Sequence, residues 1–153
     1  MQCNDQKSKI VGIVFPQAIK DNTAWVGTTA STPVSVDTKG FAFCTIYWAV
    51  GATDIAQASL TIVEDTASNL GSATSLYAFG SGSNLALPTA TDDNKFWRVH
   101  IALDGTRKRY LGVTAAAGDG SVGAYGMCWA VLEGAEETPN SDTERGVAGS
   151  AFV

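Results

Sequence analysis

The sequence predicts an all-β domain of about eight strands packed as a sandwich or barrel. Two patterns predict it: apolar side chains recur at every second residue in several segments, and turn-forming clusters interrupt them about every ten residues. Composition agrees, since 16 glycines among many Ala, Thr and Ser residues suit short strands and turns and suit long helices badly.

In chain order, Ile10 to Phe15, Ala24 to Thr28 and Val34 to Val36 read as short strands. Phe41 to Val50 is a longer apolar run with aromatics on both faces: Phe41, Phe43 and Tyr47 on one, and Trp48 with Cys44 and Ile46 on the other. Such a strand is expected to be covered on both sides, as in a sandwich whose outer face is buried by a neighbour. Ala58 to Asp65 sends Leu60 and Ile62 one way and Thr61 and Val63 the other, and Ser75 to Phe79 is a weaker strand. The clearest alternation is Lys95 to Leu103, where Trp97, Val99, Ile101 and Leu103 share the face opposite Arg98 and His100. Asp104-Gly105 then turns the chain. Arg109 to Ala116 follows with Leu111, Val113 and Ala115 on one face, so the two segments read as a hairpin. Val122 to Leu132 closes the set, carrying Tyr125, Met127, Trp129 and Val131 on one face. Only Thr53 to Ala58 has a helical look, enough for one turn, and no internal repeat is visible.

The domain is expected over residues 10–134, with a polar arm at 1–9 and an acidic, flexible tail at 135–153. At 153 residues a single domain buries roughly 70% of its unfolded surface and needs no disulfide or metal staple. Charged residues make up only 16% of the chain, against about 25% in an ordinary soluble domain, which leaves neutral surface for partners. The formal net charge of −5 disfavours a nucleic-acid partner held by general electrostatics. The basic run Arg107-Lys108-Arg109 reads as a solvated turn rather than a phosphate site. No apolar run approaches the ~18 residues of a membrane span, and Met1 to Lys9 lacks the apolar stretch of a signal peptide. Synthesis in a cytoplasm with no membrane partner is the expectation. Cys3, Cys44 and Cys128 show no paired spacing, so free thiols are expected rather than a disulfide framework or a zinc site.

Catalysis needs groups that exchange protons, attack, or hold a metal, and none is assigned: no catalytic residue, no cofactor site and no metal ligand. His100, the sole histidine, lies on the polar face of a strand. Asp92-Asp93-Asn94 and Asp119 match no calcium loop. Glu136-Glu137 are adjacent residues whose side chains diverge, and the Gly-Ser-Gly-Ser stretch at 80–83 lacks the strand-to-helix context of a nucleophile elbow. Trp48, Trp97 and Trp129 are expected in the core, with Trp97→Ala costing ~3–5 kcal/mol. Trp25 is the one tryptophan expected to be exposed, where a sugar could stack.

Three stretches resemble a group of small bacteriophage virion proteins that decorate or cement the head. They are Val36 to Asp54, Ala58 to Asp65 with its following Ser- and Gly-rich loop, and Arg107 to Gly120 running into a Gly- and Ala-rich strand and a tail containing Pro139. Together they span about residues 34 to 145. The resemblance implies a β-sandwich of jelly-roll type, seated on a lattice of the major capsid protein, often as a homo-trimer, with the virion as its location. It brings no catalytic residues with it. A tail or fibre subunit and a carbohydrate-binding module are the alternatives.

Overall fold

Nine strands run through the computed structural model, which describes residues 7–19, 24–25, 34–80, 82–117, 124–137 and 141–149, and only the backbone of 17–19, 24–25 and 124. They are β1 (Lys9–Ile19), β2 (Ala24–Trp25), β3 (Val36–Asp37), β4 (Phe43–Thr53), β5 (Gln57–Asp65), β6 (Thr74–Ala78), β7 (Lys95–Ala102), β8 (Tyr110–Ala117) and β9 (Ala124–Glu133). Residues 53–58 form the end of β4, a bend and the start of β5 rather than a helical turn.

Two antiparallel sheets face each other. Sheet A has the order β1-β9-β4-β7, and sheet B the order β2-β8-β5-β6 with β3 also on β8. Because β5 runs along one side of β8 from Tyr110 to Ala117, β2 and β3 must share its other side, β2 at Ala115–Ala116 and β3 at Tyr110–Leu111. Nine strands therefore fill eight lanes. The pairs β1·β9, β2/β3·β8, β4·β7 and β5·β6 make one nested hairpin, and rolling it up brings β9 beside β4 and β8 beside β5. That order is the jelly roll.

The β7–β8 hairpin expected from Asp104-Gly105 does not form. β7 pairs with β4 in sheet A and β8 pairs with β5 in sheet B, so residues 103–109 carry the chain across the sandwich. The physical reason lies in the two apolar faces. Trp97, Val99 and Ile101 from β7 and Leu111, Val113 and Ala115 from β8 join one core from different sheets, with Trp97, Val99 and Val113 lining the same central void.

The core is built by alternation. Cys44, Ile46, Trp48 and Val50 of β4 and Cys128, Ala130 and Leu132 of β9 point inward from sheet A, and Leu60, Ile62, Leu111, Val113, Ala115 and Ala117 meet them from sheet B. Each fully buried Leu, Ile or Val contributes about 1.5–3 kcal/mol of transfer free energy. A residual void of about 10 Å³ among Trp48, Leu60, Ile62 and Phe79 has room for one water at most, and its lining is apolar.

Parts of the acidic segment after Gly134 bond to this body. Ala135 N–H donates to the Lys7 carbonyl at 3.3 Å, Glu136 N–H to Gly40 at 2.8 Å, and Ile10 N–H donates to the Arg145 carbonyl at 2.7 Å. Ser141 and Glu144 form a reciprocal capping box: Ser141 N–H donates to Glu144 Oε2, and Glu144 N–H to Ser141 Oγ. Gly146, at φ +77°, ends the turn.

Candidate docking face

The two outer faces differ in chemistry. Among the described residues sheet B presents mainly small and polar side chains, with Thr61 opposite Thr114 on adjacent strands and Gly112 covered by Leu70. Sheet A presents aromatics. Since directly paired residues of an antiparallel sheet share a face, its register can be read as rows. Val131, Thr45 and His100 form one row with Ile10; Trp129, Tyr47 and Arg98 form the next with Gly12; Met127, Ala49 and Phe96 form the third.

Ring contacts order this surface. Tyr47 and Trp129 stack across β4 and β9 with centroids 5.1 Å apart and planes 8° from parallel. Phe96 meets Trp129 edge-on at 6.3 Å. Phe15 lies over Gly12, whose missing side chain makes room for the ring. Ala49 and Gly51 are too small to fill the space between Phe96 on one side and Tyr125 and Met127 on the other. An open, almost wholly apolar groove of about 340 Å³ results, with Pro16 and Asn94 at its ends. Phe96 is 70% exposed, Phe15 58% and Tyr125 48%.

Trp129 therefore lies on the outer face of sheet A, half-buried, and not in the core where the sequence placed it. β9 alternates as its sequence predicts, but the side turned inward carries Gly126, Cys128, Ala130 and Leu132. Small residues suit the inner side there because Trp48 of β4 already fills the space beside Cys128. Trp48 is core at 2% exposure, and Trp97 points inward, half-buried against it. The side chain of Trp25 lies outside the described residues, as do Cys3, Asp119 and Ser81.

The remaining sequence candidates are held apart. The His100 ring stacks on Phe43 at 5.3 Å, and its Nδ1 lies 2.8 Å from the Thr45 hydroxyl. That hydroxyl donates to Glu133 Oε2 at 3.5 Å, so the carboxylate bonds the hydroxyl and does not orient the imidazole as a base. Arg107 pairs with Glu64 at 3.5 Å, Lys108 Nζ donates to Thr74, and Arg109 grips Asp37 with two bonds of 2.8 and 2.6 Å. These three cations serve separate partners and do not converge on an anion. Asp93 accepts the Thr53 N–H while Asp92 accepts Thr89 and Lys95. Among the described residues no group of three metal-ligating side chains forms. Glu136 and Glu137 are exposed. Cys44 and Cys128 are buried and free, and burial pushes the Cys44 thiol up to about 12 and Cys128 higher still, which makes both poor nucleophiles.

The Lys95 ammonium, with the Thr89 N–H and hydroxyl, holds the Asp92 carboxyl down at about 2 from an ordinary 3.8. The folded state thus binds fewer protons than the unfolded one in that window. Asp92 contributes stability above the unfolded value of 3.8 that is lost as pH falls towards about 2. Asp92→Asn is expected to flatten this part of the acid limb in a pH series of thermal melts. An unchanged slope would show that the Asp92 bonds contribute nothing.

In comparisons with family models, curated proteins and solved structures, nothing matches this chain. The fold and the site together define a jelly-roll β-sandwich with one aromatic outer face.

Proposed function

We propose that this chain is a non-enzymatic virion protein that docks on a bacteriophage capsid through the outer face of sheet A and bridges neighbouring major capsid protein subunits. The observation that carries it is the asymmetry of the two faces. Sheet A exposes Phe15, Phe96 and Tyr125, the last two lining an apolar groove, and exposed apolar patches rimmed by polar residues mark interaction sites. Tyr, Trp, Phe and Met are the residue types enriched in protein interfaces.

A rigid domain bound across a joint between shell subunits adds buried area only when the shell is intact, so mass action favours the intact shell. Modest affinity per contact suffices, because each copy held by several neighbours gains avidity. The test is the copy number of this chain in purified particles relative to the main shell subunit. A ratio near one supports lattice decoration. A few copies per particle would place it at a vertex or tail, and absence would overturn the virion role.

One observation favours a second function, carbohydrate binding: Phe96 and Tyr125 flank a groove with Asn94 at its end. Against it, Trp129 has one ring face taken by Tyr47, and a stacking platform needs a free face. A glycan array that retains the chain, with retention lost in Phe96→Ala, would favour the sugar.

A further inference from the structure

Sheet A and sheet B have four edges, and three are blunted. β1 is bulged twice, carries Pro16, and has its Ile10 N–H taken by Arg145. β6 is only five residues long with a register shift, and among the described residues the β2/β3 lane consists of two two-residue pieces. β7 differs. It runs eight residues from Lys95 to Ala102 against β4 with no shift and no proline. Natural sheets normally guard such an edge, because its unpaired main chain is a template for another strand.

The direction of the open groups follows from the ladder. Leu103 N–H donates to the Ala42 carbonyl at 2.9 Å, so by alternation Ile101, Val99, Trp97 and Lys95 turn their main-chain groups to β4. Phe96, Arg98, His100 and Ala102 turn theirs to the open side, where no main-chain partner meets them among the described residues. A groove of about 290 Å³ beside Val99–Ala102 keeps that side accessible. Arg98, on the same strand, makes no ion pair among the described residues.

We propose that β7 pairs antiparallel with β7 of a second copy about a two-fold axis at Val99, joining two A sheets into one of eight strands. A strand edge is complementary to itself under a two-fold, which makes a second copy the fitting occupant. The register follows by elimination. A one-residue slip would set apolar against polar faces. An axis at Arg98 would oppose Arg98 to its own copy, a like-charge pair. Axes at Trp97 or His100 leave only five residues of overlap, from 95–99 or 98–102. The axis at Val99 overlaps seven residues, 96–102. It sets bulky Phe96 against Ala102 and Arg98 against His100. On the inner face Trp97 meets Ile101 and Val99 meets Val99. The four outward residues of each copy supply about eight N–H···O bonds. Both aromatic faces then lie on one side of the joined sheet.

This pairing stands on the edge of β7 and not on the capsid reading. Sedimentation equilibrium of the full chain at micromolar concentration is expected to give a dimer. Arg98→Pro removes one open-side N–H without breaking an intrachain bond, and should give a folded monomer by near-UV circular dichroism. Val99→Cys in a Cys3→Ser background reads the register separately: across the axis the two introduced thiols face each other, and mild oxidation should link the dimer. A monomeric wild type, a trimer, or a dimer that fails to cross-link through position 99 overturns the proposal. A monomer that still decorates heads would overturn the pairing and leave the docking face intact.

Discussion

Trp48→Ala is expected to lower the stability of the domain by ~3–5 kcal/mol, the range for removing a buried Trp from a packed core. Trp48 is 2% exposed. On sheet A it lies between Cys128 and Trp97, its paired residues on β9 and β7. Across the sandwich it shares the central void with Leu60, Ile62, Phe79 and Val113. Strands hydrogen-bonded on both sides cannot collapse inward, so most of the indole volume would persist as a cavity. Trp97→Ala is expected to cost less, because half-buried Trp97 at the open edge leaves a space that water can enter. Denaturant unfolding of the two variants measures the difference. Equal losses would mean that the β7 edge is as well covered as the centre.

Under the proposed capsid role, Trp129→Ala is expected to weaken attachment to the head by at least roughly 30-fold, the equivalent of the ~2 kcal/mol that marks an interface hot spot. Trp129 sits at the middle of the aromatic face, stacked on Tyr47 and touched edge-on by Phe96. Its removal both takes away an anchor and loosens the two rings beside it. The domain should stay folded, since the residue lies outside the core and its ring pairs are worth about 0.5–1.5 kcal/mol each. Thr114→Ala on the opposite outer face is the control and should bind as the parent does. Binding of purified chain to heads that lack it, followed by pelleting, reads both. Loss of attachment in Thr114→Ala with Trp129→Ala unaffected would move the docking surface to sheet B.

Much of this architecture was legible locally. The segments that hold the nine strands were marked by apolar patterning or by turn clusters, and β4 showed its aromatics on both faces, Phe43 and Tyr47 against Cys44, Ile46 and Trp48. The capping box of Ser141 and Glu144 was also there to be read, as a Ser followed three residues later by Glu with Gly146 beyond. The acidic, apolar-poor composition around it masks the motif, since Asp, Glu, Ser and Thr fill the segment whether or not they cap a turn.

Sequence alone determined which residues of each strand share a face, because a side-chain period of two depends only on the local backbone. Tertiary structure decided which of the two faces turns inward. In β9 the larger face, with Tyr125, Met127 and Trp129, was left outside because Trp48 had taken the room within. It also decided that β7 and β8 join different sheets. A turn at Asp104-Gly105 reverses the chain equally well within one sheet or across two, and only the partners β4 and β5, far away in sequence, settle which. The aromatic outer face of sheet A and the open β7 edge are products of those two long-range choices.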